Sequence, residues 1–183
     1  FEIMRIQWQG EELDLLPEKA IFWNRQKTLF LADPHFGKAA SFRKAGIPVS
    51  EASSENDLFN LSFLIRQTNA RTIVFLGDFF HARTSRAKLV KKMLSDWRCR
   101  FPNLELHLIR GNHDYKSGDP WEELKIQCHN EPFVLNEWEC RHHPLINPSN
   151  PYLAGHLHPG YSLQGKGRSR VRSACFQVGR MRI

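Results

Sequence analysis

Short apolar runs alternate with amphipathic stretches through the first part of the chain. Thr28 to Ala32 (TLFLA), Ile73 to Leu76 (IVFL) and Leu104 to Ile109 (LELHLI) are brief apolar runs, each ending near a Gly or an Asp, the signature of buried strands. Between the first two, Leu58, Leu61, Leu64 and Ile65 recur at helical spacing. This predicts a helix over about 54–68, with serines ahead of it that can cap. Between the second and third, Leu89, Val90, Met93, Leu94 and Trp97 form the apolar stripe of a helix predicted over about 85–100. Lys88, Lys91 and Lys92 lie on its other side, where a solvated face explains them. Strand, helix, strand, helix, strand implies parallel strands joined by right-handed crossovers.

The later part changes character. Phe133 to Leu135, Trp138 to Arg141, Tyr152 to Ala154 and the stretches around Tyr161 and Cys175 are short and turn-separated, and predict a largely antiparallel sheet. Burying both halves calls for an α/β fold in which a two-sheet β-sandwich is flanked by α-helices, in one domain over 1–183. There is no internal repeat, linker or low-complexity stretch to divide it.

Composition narrows the classes. The chain has 183 residues, enough for one sizeable core; 41% hydrophobic and 25% charged residues argue against disorder and coiled coil. No apolar run approaches the roughly 18 residues of a membrane-spanning helix, so no membrane partner is expected. The 26 Lys and Arg against 19 Asp and Glu give a net charge of +7 and a pI near 9.5. That surplus favours an anionic partner such as nucleic acid or a phosphorylated substrate, without choosing between them. Cys99, Cys128, Cys140 and Cys175 form no CxxC pair, which removes zinc-ribbon and thioredoxin readings. With no basic-then-apolar leader, buried free thiols and a cytoplasmic location are expected. The chain begins at Phe1 rather than Met, and is read as trimmed at that end.

The chemistry sits just past each apolar run. TLFLA is followed by Asp33-Pro34-His35, and IVFL by Gly77-Asp78. LELHLI leads to Gly111-Asn112-His113-Asp114, a later strand to His142-His143-Pro144, and YLA to Gly155-His156-Leu157-His158. In α/β sheets the carboxyl ends of strands share one edge, so five distant segments would converge. An oxygen- and imidazole-rich set without thiolate suits Mn²⁺, Fe or Zn²⁺. Two ions about 3.5–4 Å apart need a bridging carboxylate, and Asp78 beside Gly77 is the best candidate. His107 inside an apolar strand is expected to be a satisfied core or surface histidine, and His129 a loop residue without a ligand role. Lys166, Arg168, Arg170 and Arg172 alternate on one strand face, an electrostatic footprint or merely a surface strand.

These DxH, GD, GNHD, HxP and GHxH blocks, in that order and after strands, resemble the calcineurin-like metallophosphoesterase superfamily. More narrowly, Ala32 to Arg43, Ala45 to Pro48 and GDFFHAR at 77–83 are similar to the bacterial ligase-associated DNA-damage-response phosphodiesterase group. The resemblance implies a four-layer αββα form of the sandwich. It also implies Asp33, His35, Asp78 and His158 around one metal, and Asp78, Asn112, His142 and His156 around a second. His143 is the fallback for His142, and Mn²⁺ is the favoured ion at both sites. His113 would meet the phosphate or protonate the leaving oxygen. The protein-phosphatase branch has an Asp where this chain has His81, which argues against that branch and leaves Asp114 or His81 to orient His113. Arg43, Lys38, Arg83 and His81 are the expected substrate-side groups. The activity implied is hydrolysis of a phosphodiester, DNA or RNA included, by a hydroxide held between two metal ions, in DNA repair beside a ligase and helicase system. Alternatives are a phosphatase, a cyclic-nucleotide or other small-molecule phosphodiesterase, and a non-catalytic scaffold. No ligand position is missing, which disfavours the scaffold. Relatives continue past Met181-Arg182-Ile183 into another strand, so the C-terminus is read as incomplete.

Overall fold

The computed structural model describes residues 3–49, 52–165, 167 and 169–179, with backbone alone at 52–54. Seven strands form the main sheet in chain order: β1 (Met4–Trp8), β2 (Glu11–Leu16), β3 (Ala20–Trp23), β4 (Thr28–Leu31), β5 (Thr72–Phe75), β6 (Glu105–Ile109) and β7 (Gln127–His129). The first four pair antiparallel, whereas β4 through β7 pair in parallel. The three parallel strands β4, β5 and β6 are the predicted ones, and β7 adds a fourth that the pattern did not assign. The apolar pattern assigned no element to β1 to β3, and they extend the sheet beyond it.

Four helices accompany the sheet: α1 (Lys38–Lys44), α2 (Ala52–Thr68), α3 (Lys88–Arg100) and α4 (Asn112–Ser117). The predicted second helix starts later than expected because a tight 3-10 turn, Arg83–Ser85, precedes it. Leu58, Leu61, Leu64 and Ile65 of α2 and Val90, Leu94 and Trp97 of α3 bury against Leu29, Ile73, Phe75, Leu106 and Leu108 on one sheet face. Leu89, expected in the α3 stripe, is instead 45% exposed. It stands next to the buried arc, which Val90, Leu94 and Trp97 fill.

The opposite face carries Leu13, Trp23, Phe30, Val74 and Ile109, and packs on a second sheet through Trp138, Cys140 and Leu153. That sheet holds β8 (Phe133–Leu135), β9 (Trp138–Arg141) and β10 (Tyr152–Ala154). Its β8–β9 pair is antiparallel but β9–β10 is parallel, so it is mixed rather than largely antiparallel. Parallel pairing matters, because it sends the chain out of β9 and β10 on the same side. Trp23 and Trp138 stack with ring centroids 4.3 Å apart. Such a pair contributes about 0.5–1.5 kcal/mol beyond its buried area, and it fixes β9 just upstream of His142. The expected pair of packed sheets with helices alongside is therefore present. Among the described residues the helices α2 and α3 cover the outer face of the large sheet.

A two-stranded hairpin, β11 (Gly160–Gln164) and β12 (Arg170–Ala174), stands apart from both sheets. Lys166 and Arg168, part of the expected basic run, lie outside the described residues, as does 180–183. All four cysteines are free as expected, but only Cys140 is buried; Cys128 is half-buried and Cys99 and Cys175 are exposed.

Candidate metal centre

The parallel pairing of β4 and β5 does not stop at the strand ends. Leu76 N–H donates to Leu31 O (2.7 Å), Asp33 N–H to Gly77 O (3.2 Å), His35 N–H to Asp78 O (3.1 Å) and Phe36 N–H to Phe79 O (2.8 Å). The Asp33-Pro34-His35 and Gly77-Asp78 loops thus run side by side as one extension of the sheet. Phe36, Phe79 and Phe80 anchor it by burying beneath. Asp33, His35, Asp78, His156 and His158 all sit in the left-handed backbone region, at φ of 51°, 48°, 54°, 72° and 45°. Side chains avoid that region at a cost of about 1–3 kcal/mol each, and residues held there cluster at functional sites. Five of the seven expected ligands share this strain.

Those seven converge. Asp33, His35 and His158 offer donor atoms within 4.8 Å of one another, as do Asp33, Asp78 and His142, and also His142, His143 and His156. His142 and His143 differ in burial and direction. His142 is fully buried, with Nδ1 3.0 Å from Leu76 O and Nε2 3.1 Å from Asn112 Oδ1 and 3.0 Å from His156 Nδ1. His143 is half-exposed and its Nδ1 is taken by Glu131 Oε1 at 2.6 Å. Glu131 also accepts the backbone N–H of His142 and of His143, both at 3.0 Å, and so fixes the turn that presents them. Burial pushes the Glu131 carboxyl up, but the hydrogen bonds from His143 and His142 outweigh it and hold the group below its ordinary range. Glu131 had no signal in the sequence: it stands outside every block.

The donor arrangement fits divalent cations. With its Nδ1–H on the Leu76 carbonyl, His142 can turn an Nε2 lone pair toward Asn112 Oδ1, so that both atoms offer themselves to one cation. Two lone pairs 3.1 Å apart repel unless a cation lies between them. Neighbouring donors on one ion about 2.1 Å away stand about 3.0–3.4 Å from one another, as His142 Nε2 does with Asn112 Oδ1 and His156 Nδ1, while Asp78 Oδ1 stands 3.6 Å from His142 Nε2 and His158 Nε2 3.9 Å from Asp33 Oδ1. Asp33 Oδ1 and His35 Nδ1 are buried without any hydrogen-bond partner among the described residues, a cost that a bound cation would remove. Burial holds His35 unprotonated, with its pKa down to about 4, and burial likewise lowers His156 and raises Asp33. Neutral imidazoles and a carboxylate lacking a counter-charge are what a cation site presents when read from the protein alone. Close backbone approach completes the cradle. A Cβ at Gly77 would stand 2.0 Å from His142 Nδ1, and one at Gly111 would stand 2.3 Å from Asp78 Oδ1.

His113 lies at the rim, half-buried, its Nε2 3.9 Å from Asp78 Oδ2 and its backbone N–H donating to Asp78 Oδ1 (2.9 Å). Its Nδ1 rests on the backbone carbonyl of His81 at 2.5 Å. So His81 does orient His113, but through its peptide. The His81 and His113 rings stack with centroids 5.4 Å apart. Asp114 must be corrected. Its carboxylate accepts the N–H groups of Asp78 (2.7 Å), Gly111 (2.8 Å) and Phe79 (2.9 Å), and it is 1% exposed beneath the site. It braces the two loops rather than acting as a catalytic group on His113.

The substrate-side expectations divide. Lys38 opens α1; burial chiefly lowers His35 and His81, and the Lys38 charge adds to it in both. Arg83 is exposed in the 3-10 turn. Arg43 is not aimed at the site: its Nη1 donates to Val49 O at 3.0 Å, tying the end of α1 to the following loop. His107 is buried as expected, with Nδ1 3.0 Å from His129 Nε2. His129 is no loop residue. It belongs to β7, and its ring stacks on Phe133 at 4.0 Å, which no local pattern foretold.

Residues 26–171 match the family model for calcineurin-like phosphoesterases, and the chain belongs to that family: it is a metal-dependent phosphoesterase with the calcineurin-like fold. Among solved structures it is similar to the nuclease MPE of Pseudomonas putida. The two are 40% identical and superpose with a TM-score of 0.81, over 92% of this chain and 79% of that one. No curated protein matches it.

Proposed function

We propose that the chain is a nuclease that hydrolyses phosphodiester bonds with two divalent ions, and that it serves bacterial DNA repair. The observation that carries the reading is the convergence of donors: Asp33, Asp78 and His142 form the central triad, Asp33 joins His35 and His158 on one side of it, and His142 meets Asn112 and His156 at 3.1 and 3.0 Å on the other. Asp33, His35, Asp78 and His158 would hold one ion, and Asp78, Asn112, His142 and His156 the other; the oxygen and imidazole donors suit Mn²⁺, Zn²⁺ or Fe, and the likeness to the ligase-associated group favours Mn²⁺. Ions so held lower the pKa of a water toward about 7 and neutralise charge on the phosphoryl oxygens.

The chain's own groups do the rest. His113 keeps Nδ1–H on the His81 carbonyl in either charge state, so Nε2 is the atom that passes a proton to the leaving oxygen. Lys38 and Arg83 supply cationic surface for the phosphate. A nucleic-acid substrate is supported by the nuclease relative and by the basic balance. The repair setting, with a ligase and helicase as partners, is supported by the likeness of 32–48 and 77–83 to the ligase-associated group.

Metal analysis paired with hydrolysis of bis(p-nitrophenyl) phosphate tests the reading. The parent protein should bind about two Mn²⁺ per chain and turn the diester over faster than p-nitrophenyl phosphate. Asp78→Asn should lose both metal and turnover. Equal rates in parent and variant would refute the shared-carboxylate site.

A further inference from the structure

The +7 charge is not spread over the molecule. Residues 1–139 hold 19 Lys and Arg against 19 Asp and Glu, whereas residues 140–183 hold 7 Lys and Arg and no acidic residue at all. The whole surplus therefore belongs to the segment that carries His142, His156 and His158 and then forms the β11–β12 hairpin.

That hairpin starts two residues after His158, and Cys175 N–H closes its base on Pro159 O at 3.1 Å. Its cross-strand register places Ser162 opposite Arg172 and Gln164 opposite Arg170. Alternation puts these four on one polar, basic face, and Tyr161, Leu163 and Val171 on the other. Every residue of β12, and all of β11 except the half-buried Ser162, is exposed, and an isolated two-stranded ribbon is at best marginally stable in water. Among the described residues its basic face has no carboxylate partner, and Arg170 Nη2 donates to Ser162 Oγ at 3.2 Å. The Arg172 side chain lies back across β11. A Cβ at Gly160 would stand 2.5 Å from Arg172 Nε, so the glycine makes room for the guanidinium at the end of the ribbon nearest the site. Two residues span at most about 7 Å, so the end of the ribbon that carries this guanidinium lies within about that distance of the His158 backbone. Arg170 follows about 6.6 Å further out on the same face, the scale of one nucleotide step.

We propose that β11–β12 is a nucleic-acid-holding ribbon, in which Arg172 and Arg170 grip successive phosphates of a strand leading out of the metal site. This rests on the phosphodiesterase reading above. It adds that binding of an extended substrate depends on these two arginines. They are positioning residues: they touch phosphates flanking the scissile one and leave the chemical step to the site.

The test is steady-state cleavage of a labelled DNA oligonucleotide with Mn²⁺, over a series of salt concentrations. Arg170→Ala/Arg172→Ala should raise KM at least tenfold with kcat within about twofold. Losing two phosphate contacts should also flatten the log–log salt slope by about 1.4 on a single strand or about 1.8 on a duplex. Lys88→Ala/Lys92→Ala on α3 removes the same charge elsewhere, and should match the parent in KM and slope. A double arginine variant with the parent's KM and slope overturns the ribbon. So does a parent dimer that the variant dissolves without change in KM, which would give the ribbon to a second copy of the chain. A parent that cleaves neither the oligonucleotide nor bis(p-nitrophenyl) phosphate overturns instead the phosphodiesterase reading beneath it.

Discussion

Asp114→Asn separates a bracing carboxylate from a catalytic one. The aspartate accepts three buried backbone N–H groups, two on Oδ2 from Asp78 and Gly111 and one on Oδ1 from Phe79. Asparagine turned to keep its oxygen on the first two faces the Phe79 N–H with its own NH₂. One buried donor without a partner costs about 1–3 kcal/mol. Burial already pushes the Asp114 carboxyl up, so replacing a charge held at a cost returns part of that, and the net loss should fall at about 1–2 kcal/mol. Asp114→Ala orphans all three donors and should cost several kcal/mol, a large share of the about 5–15 kcal/mol that holds a domain together. The assay is urea unfolding of metal-free protein, read by tryptophan fluorescence, with metal content and turnover measured on the same samples. Asp114→Asn should lower the midpoint with little change in slope, and should weaken metal binding along with activity, because the loops carrying Asp78 and Asn112 loosen together. An Asp114→Asn protein as stable as its parent, fully metal-loaded and inactive would refute the argument and make Asp114 a proton-transfer group.

Other outcomes follow from the same geometry. His113→Asn should keep its metal and lose about 10²–10⁴-fold in turnover; a fall in metal content would make His113 a ligand instead. Gly111→Ala drives a methyl to within 2.3 Å of Asp78 Oδ1, so it should sharply reduce metal binding measured by titration calorimetry, and an unchanged affinity would contradict the close packing. Glu131→Gln should weaken metal binding about 10–100-fold, the usual effect of losing a group that orients a ligand, with His143→Ala affecting it less. In metal-free protein, His35 has a folded pKa of about 4 against an ordinary 6.5. The unfolded chain therefore takes up a proton first, and the His35 contribution is complete above about pH 6.5 and drains away as pH falls toward 4. At 1.36 kcal/mol per unit the limit is about 3 kcal/mol, reduced by partial exposure. Urea midpoints at pH 8 and 5 should fall further for the parent than for His35→Asn.

The parallel core and its crossover helices were legible because Thr28 to Ala32, Ile73 to Leu76 and the Leu58 stripe obey periods that burial on two faces or one imposes. The first three strands escaped. Glu11 to Leu16 bury Asp14 together with Leu13, Leu15 and Leu16 in a run without clean alternation, and only pairing with β1 and β3 makes it a strand. The mixed second sheet escaped likewise, since β9 and β10 pair in parallel through a connection whose direction no local pattern encodes.

By itself the sequence determined the inventory of the site: which residues follow each strand, in what order, and that they are carboxylate, amide and imidazole. Those are local facts, set by side-chain chemistry and by strand ends that share one edge of a sheet. Tertiary structure decided the roles. His142 is buried and turned to Asn112 and His156, whereas the neighbouring His143 ring is taken by Glu131. Asp114 is a brace because the GD and GN loops bring three N–H groups to it from separate strand ends. Arg43 reaches the Val49 carbonyl, while Arg172 stands opposite Ser162 by a register that only the folded hairpin has. Hydrogen-bond partners are settled by distance in space, and spacing along the chain does not record it.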